Sequence, residues 1–488
     1  MADVYGQETE PERGREPEGF AGRPYRMFTR RGLTGAVMGV AASVAVLMSA
    51  LTTAAGPAIS SPSLLSTTST APTGAGGAPG DAAAATPPAA TAGQANLHVV
   101  PSSGGPSTPG RGFSYGFDLA YSVPTWTNLP TVQSSIQVAR TGPGTFVDVP
   151  IMGWGPGNPE PSPGVYDFSG IAKQLAFVQA TGDIPLITLC AAPDWMKGGQ
   201  PGTTDWSQIN VAPVPQHYQD FATLSAAVAR AFPQVKHFVV WNEMKGFVNP
   251  GTGTDSADYT AMYNDVYRAV KSVRPDALVG GPYVSVHSLA GPPSPSAPTP
   301  SGPWGHVVPD SLAAISYWLA HNVGADFIAV DGRAYTNDAG LTTDPLTSTG
   351  KYAAVDRWLA SQTSLPIVWM ESHLLPDPTV ATVAQQAALR VAALLQMASS
   401  GASIGMQWNP IDQPTWDEGV WTSPWLPAGG RATILGQELP GVLAVLAGPV
   451  SLVPGEPGGT LEATGPDGTV TVTESGSSAT VVSTGPHA

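Results

Sequence analysis

Between residue 112 and the C-terminus the sequence predicts an α/β fold, a (β/α)8 TIM barrel with a small β-strand appendage behind it. Three observations carry that expectation. Short apolar runs alternate with amphipathic segments eight times, the rhythm of βα units on a parallel sheet. No glycine-rich phosphate loop follows the first run, which sets aside an open doubly wound sheet. Two runs end abruptly in carboxylates, at Trp241-Asn242-Glu243 and Trp369-Met370-Glu371, and barrels place their chemistry at the C-terminal ends of strands.

The predicted strands cover residues 113–120, 145–152, 184–190, 237–242, 277–282, 325–331, 366–370 and 403–408. His237-Phe238-Val239-Val240-Trp241 is typical: a β-branched and aromatic run with the turn residues Gly246 and Pro250 close behind. Helices fall between them. Residues 166–181 bring Ile171, Leu175 and Val178 to one face at spacings of four and three. Residues 216–232 do so with Phe221, Leu224 and Val228, and residues 258–273 with Met262, Val266 and Val270. Further helices are expected over 379–399 and 431–446, and the Pro-rich stretch 291–303 reads as an enlarged loop.

The barrel is expected over 112–449 and the appendage over 450–488. In the appendage, residues 460–463 and 469–473 alternate around Gly465-Pro466-Asp467-Gly468, a hairpin turn, and residues 479–483 form a third strand. Three strands alone are marginal, so they are expected to lean on the barrel and to pair with residues 96–100.

The N-terminal part reads as delivery apparatus. Residues 1–32 are polar and end in Arg30-Arg31; residues 33–55 are apolar, with no charge between Arg31 and Asp81. Two readings stand: a twin-arginine-type export signal, or an uncleaved signal anchor with its N-terminus in the cytoplasm, giving a type II membrane protein. Both send the remainder outside the cell, secreted or anchored at its surface. Residues 56–111 are almost free of large apolar side chains, so they are expected to be a disordered linker.

The bulk chemistry narrows the partners. A net charge of −15 argues against nucleic acid and against a polybasic membrane patch, leaving the N-terminal segment as the expected membrane contact. The single cysteine, Cys190, excludes an intramolecular disulfide and reads as a small buried residue. No Cys or His spacing suggests a metal, and no cofactor is expected. The chain is expected to be a monomer.

Two carboxylates facing each other across a barrel mouth suit acetal cleavage, in which one protonates the leaving oxygen and the other traps the oxocarbenium-like centre. Glu243 closes the fourth predicted strand and Glu371 follows the seventh. Each charge is expected to raise the other's pKa, holding one of them protonated as the acid.

These residues resemble those of the glycoside hydrolases of clan A, most closely family 39, the β-xylosidase-like group. Pro163-Gly164-Val165-Tyr166-Asp167-Phe168 and Ala192-Pro193-Asp194-Trp195-Met196 add to the likeness, which spans roughly residues 112–450. The resemblance implies that Glu243 is the acid/base, Glu371 the nucleophile, and Asn242 a ligand of the sugar 2-hydroxyl. It thereby implies a retaining enzyme, and the export expected from the N-terminal segment directs it to extracellular or cell-wall carbohydrate.

The sequence also departs from the family. Val149-Pro150-Ile151-Met152-Gly153-Trp154 lacks an Arg near the end of strand two, and Asp331-Gly332-Arg333-Ala334-Tyr335 stands where a His-rich segment is common. Those departures motivate a rival reading, a catalytically degenerate carbohydrate-binding barrel of the cell envelope. Further substrate-binding candidates are Trp408 as a stacking platform, Trp195 as a subsite wall, Tyr335 as a partner of the nucleophile, and Asp118 as a hydroxyl ligand. Arg333 is a candidate cation beside Glu371, and His373 a neighbour of it.

Overall fold

A computed structural model describes residues 112–119, 144–249, 253–412, 419–424, 426–453, 459–475 and 478–485. The expected export segment, the linker and the strand at 96–100 lie outside them. Among the described residues no helix is long and apolar enough to cross a membrane.

Eight parallel strands close into a barrel. They are β1 (Ser114–Asp118), β2 (Phe146–Pro150), β3 (Ile184–Leu189), β4 (His237–Val240), β5 (Leu278–Val286), β6 (Phe327–Arg333), β7 (Ile367–His373) and β8 (Ala402–Gln407). Each pairs with its sequence neighbours, and β8 returns to β1 with Ser114 opposite Ile404. All eight coincide with the predicted runs.

Helices α1 (Ser169–Thr181), α2 (Tyr218–Ala231), α3 (Ser256–Val273), α4 (Pro309–His321), α5 (Gly350–Gln362), α6 (Val383–Ser400) and α7 (Ile434–Leu446) follow β2 through β8 in turn. Helices α4 and α5 were not among those expected from the sequence. Helix α6 shows why such segments start where they do: the Thr382 hydroxyl accepts from the Gln385 backbone N–H while the Gln385 side chain accepts from the Thr382 N–H, a reciprocal capping box.

Strand alternation builds two cores. Inside the barrel lie Phe146, Leu186, Val239, Phe327, Ala329, Val368, Met370, Ile404 and Met406. Residues one step along, including Val147, Ile187, Val240, Val330 and Trp369, face the helical layer. Bulges interrupt that alternation near the C-terminal ends, and those interruptions aim the site.

The appendage has four antiparallel strands, one more than expected: β9 (Ser451–Val453), β10 (Thr460–Gly465), β11 (Gly468–Ser475) and β12 (Ser478–Thr484). It rests on α6 and α7, burying Ala463, Val470, Val472, Ala479 and Val481 in the outer core. The Gln385 amide on α6 also donates to Glu474 of β11.

Candidate active site

Carboxylates gather at the C-terminal end of the barrel because three strands break their alternation there. In β6, Ala329 faces inward and Val330 outward, so Asp331 faces inward. In β7, Val368 and Met370 face inward, and unbroken alternation would turn Glu371 toward the helices. The register shifts instead, Val330 opposite Trp369 but Asp331 opposite Glu371, and this bulge brings Glu371 into the mouth beside Asp331. A matching shift between β5 and β6 leaves Tyr283 unpaired in register between Pro282 and Val284. Tyr283 has φ 51° and its ring is in the inner core.

The end of β4 is turned by backbone strain. Val239 faces inward and Val240 outward, yet Trp241 lies in the outer core because its φ of 69° reverses the expected side. Its ring packs edge-on against Phe221 (5.5 Å) and Phe247 (5.8 Å), and its indole N–H donates to the Lys245 carbonyl (2.7 Å). Glu243 (φ 49°) and Met244 (φ 51°) continue the left-handed turn. Such conformations cost about 1–3 kcal/mol each and persist where packing over-determines them. Gly246, at φ 82°, completes the turn where an added Cβ would lie 2.3 Å from the Ala212 backbone nitrogen. Tyr259 of α3 ties the strand end down by donating to the Val240 carbonyl (2.8 Å).

That turn folds Lys245 back onto Glu243 as an ion pair. Burial pushes the Glu243 carboxyl up, but the Lys245 ammonium, a hydrogen bond from Asp331 and the charge of Arg333 outweigh it and bring the pKa down to about 2. This corrects the expectation that the nearby nucleophile would hold Glu243 protonated: the dominant neighbour is a cation two residues away. Burial likewise opposes the Lys245 charge, and Glu243 and Glu371 together hold it above its ordinary value.

Asp331 carries the proton in its place. It is 2% exposed, and burial, then the charges of Glu243 and Glu371, keep its carboxyl far above the usual carboxylate range. It bonds Glu243 and accepts from Ser285, the residue opposite it on β5. Its Oδ1 is buried with no hydrogen-bond partner.

Glu371 is buried. Its Oε1 accepts from the Tyr283 hydroxyl (2.7 Å), and its Oε2 lies 3.3 Å from His373 Nε2. Burial, and then the charges of Glu371, Asp118, Asp331 and Asp148, raise the Tyr283 phenol pKa well above its ordinary value, so the phenol stays a donor. Asp148 of β2 accepts from the Thr188 hydroxyl (2.7 Å), and burial with the Glu371 charge lifts it to about 7. Behind β7, Arg390 of α6 donates to both the carbonyl (3.0 Å) and the hydroxyl (2.6 Å) of Ser372, fixing the residue after Glu371.

The other predicted residues divide. Asn242 is buried beside Glu243, with its Oδ1 making no hydrogen bond within the protein. Asp118 ends β1, opposite Asp148 and within the electrostatic reach of Tyr283. Trp408 follows β8, half-buried, its ring centroid 5.9 Å from that of His373, which itself touches Glu371. Two expectations change. Trp195 is 6% exposed; its indole donates to the Glu160 carbonyl (2.9 Å) and its ring meets His217 edge-on, so it packs rather than walls a subsite. The phenol expected from Tyr335 is supplied by Tyr283, whereas the Tyr335 ring lies 5.8 Å from the Arg333 guanidinium. The Arg333 charge lowers the Glu243 carboxyl. Cys190 is buried, as expected, and its thiol is pushed up to about 12 by burial.

Lys245, Tyr283, Asp148 and Asp331 were missed as site residues from the sequence. Only Asp331 offered a signal, a carboxylate closing an apolar strand just as the two glutamates do.

No protein-family model matches the sequence, and neither does any curated protein. Solved structures do. A family 39 glycoside hydrolase from the gut symbiont Bacteroides cellulosilyticus WH2 aligns with a TM-score of 0.50 at 15% identity, over 75% of this chain and 71% of that one. The chain shares the fold of a family 39 glycoside hydrolase. A monomeric β-xylosidase from Caulobacter crescentus CB15 aligns with a TM-score of 0.49 at 18% identity, covering 78% of this chain and 76% of that one. The expected (β/α)8 barrel is the fold that the family 39 structure shares with this chain.

Proposed function

We propose that this protein is a retaining glycoside hydrolase, with Glu371 as nucleophile and Glu243 as acid/base. The observation that carries the reading is the bulge in β7. It turns Glu371 into the barrel mouth, register-paired with Asp331 and bonded by Tyr283, where a purely structural carboxylate would have no reason to be aimed.

In the first step a Glu371 oxygen bonds the anomeric carbon as the glycosidic C–O bond breaks, and Glu243 delivers a proton to the departing oxygen. In the second, Glu243 takes a proton from water, which displaces Glu371 with net retention. The ionised Glu243 of the unliganded site suits this second step directly. Tyr283 orients Glu371 through a charge-assisted hydrogen bond and, as a donor to the carboxylate, moderates its charge until attack. Asn242 Oδ1 is an open acceptor for a sugar hydroxyl, and Trp408 with His373 forms the wall beside the nucleophile, a stacking surface for a sugar ring. The substrate we infer is extracellular or cell-wall carbohydrate, reached by export through residues 1–55, with residues 56–111 as the spacer.

Beside the departures from the family pattern, the Glu243–Lys245 ion pair favours a binding-only barrel, because it occupies the acid/base in the unliganded protein. The two readings separate on turnover. A panel of aryl glycosides should yield a hydrolysed member, and Glu371→Ala should abolish that hydrolysis. Binding of oligosaccharides without turnover across the panel would establish the rival.

A further inference from the structure

We propose that Asp331 is a positioning residue that stores the proton Glu243 needs, lending it for the first half-reaction and taking it back in the second. The proposal rests on the glycosidase reading above and adds a third carboxyl to it.

The geometry is that of a closed cluster. Asp331 faces the mouth from β6, in register between Ser285 of β5 and Glu371 of β7, and hydrogen-bonds Glu243 at the end of β4. Three carboxyls therefore share two cations, the Lys245 ammonium, which lies on Glu243, and the Arg333 guanidinium, whose charge also reaches Glu243. A further negative charge with no cation of its own is costly in a buried site, so one proton stays in the cluster. It stays on Asp331, the most enclosed of the three, whose Oδ1 is buried without a hydrogen-bond partner.

This arrangement answers a difficulty. Glu243, ionised against Lys245, can accept a proton but has none to give. When the anomeric carbon bonds Glu371, that carboxylate becomes a neutral ester. The proton on Asp331 then moves along the existing hydrogen bond to Glu243, and from Glu243 to the oxygen of the breaking C–O bond. Glu371 loses a negative charge as Asp331 gains one, so the net charge of Glu243, Asp331, Glu371 and Lys245 is unchanged. In the second step the sequence reverses. Water bonds the anomeric carbon, the Glu371 ester bond breaks, and the proton from water passes through Glu243 back to Asp331. No oxidant, reductant or co-reactant is required. The charge of Glu371 is one of the causes that hold the proton on Asp331, so esterification releases it at the moment of need.

The test is Asp331→Asn, which keeps the shape and an N–H donor toward Glu243 but cannot hand over a proton. Wild type and variant are compared on aryl β-xylosides and β-glucosides whose leaving groups run from 2,4-dinitrophenol through 4-nitrophenol to phenol. Proton storage predicts little loss of kcat/KM on the dinitrophenyl glycoside, which needs no acid, and a loss on the order of 100-fold or more on the phenyl glycoside. A merely structural role would lower every member alike, and such a parallel loss overturns the proposal. Should the wild type hydrolyse glycosides with Glu243 and Glu371 essential while Asp331→Asn behaves in parallel, only this inference falls. Should nothing be hydrolysed, the glycosidase reading falls and takes it along. If Asp331→Asn does not fold, the wild-type protein labelled with 13C-carboxyl aspartate gives the answer by infrared spectroscopy. As pH is raised, the bands of the buried Asp148 and Asp356 disappear near 7, and one protonated aspartate band is expected to outlast them. Its absence overturns the proposal.

Discussion

Replacing Lys245 by Met removes the cation that holds Glu243 ionised while keeping the length and apolar stem of the side chain. Glu243 is brought from an ordinary 4.5 to about 2, against its own burial, chiefly by Lys245. A depression of that size corresponds to about 3 kcal/mol of native-state stabilisation. The Glu243 side chain is 14% exposed, so screening by solvent trims this only modestly. Because the folded-state pKa lies below the unfolded one, the stabilisation is complete above 4.5 and drains away as pH falls toward about 2. In Lys245→Met the main opponent of burial is gone and only Asp331 and Arg333 still lower the carboxyl, so the Glu243 pKa rises back toward 4.5 and less stability is lost across that window as acid is added. Urea unfolding of both proteins, at matched pH steps across the window, measures the difference. The wild-type advantage should be smallest at the acid end and grow toward the upper end, to about 3 kcal/mol at most. An advantage that is constant across the window would refute the ion pair as the cause of Glu243's ionisation.

Two further outcomes follow from buried hydrogen bonds. Tyr283→Phe removes one donor to a buried carboxylate, worth about 1.5–3 kcal/mol, so kcat should fall by roughly 10- to 150-fold with KM little changed; an unaltered kcat would remove Tyr283 from the mechanism. Asp356 on α5 accepts from Trp369 (2.7 Å) and Ser400 (2.6 Å), and burial lifts its carboxyl from 3.8 to about 7. Its folded state thus binds an extra proton between those values, and stability falls as pH rises through them, by about 1.4 kcal/mol per unit at most. Asp356→Asn should lose that slope, so melting temperatures at pH 4 and pH 7 should show the variant gaining on wild type at the higher pH. An equal gap at both would contradict a protonated Asp356.

The barrel was legible because its strands are continuous apolar runs that no other element needs. The helices were legible where the apolar face is clean, as in Phe221, Leu224 and Val228 of α2. They were missed where it is not. Helix α5 buries Tyr352, Val355 and Leu359 at helical spacing, but Lys351 and Asp356 are buried among them and read as solvent-facing. Helix α4 follows a Pro-rich insert and is aliphatic on most sides, which blurs the period.

At the site, position along the strand was legible and direction was not. Glu243 and Glu371 stood out as strand-closing carboxylates, yet alternation from Val368 and Met370 would have faced Glu371 outward. Only the register shift against β6 turns it in, and a one-residue bulge leaves no mark in the pattern of residue types. Tyr283 depends on a second bulge, and Lys245 on a left-handed turn at Trp241, Glu243 and Met244 that bulky residues rarely adopt. Asp331 was visible as a departure from the family pattern, but its place beside Glu243 and Glu371 follows from the register of β6 and left no mark in the sequence.

The central claim, that Glu371 is the nucleophile and Glu243 the acid/base, is tested most directly by azide rescue. Glu371→Ala given an activated aryl glycoside that the wild type hydrolyses should be inert in buffer. With azide it should recover turnover and release a glycosyl azide of inverted anomeric configuration, while Glu243→Ala should yield the azide with retention. Wild-type hydrolysis by both variants, with no azide product from either, would contradict the account.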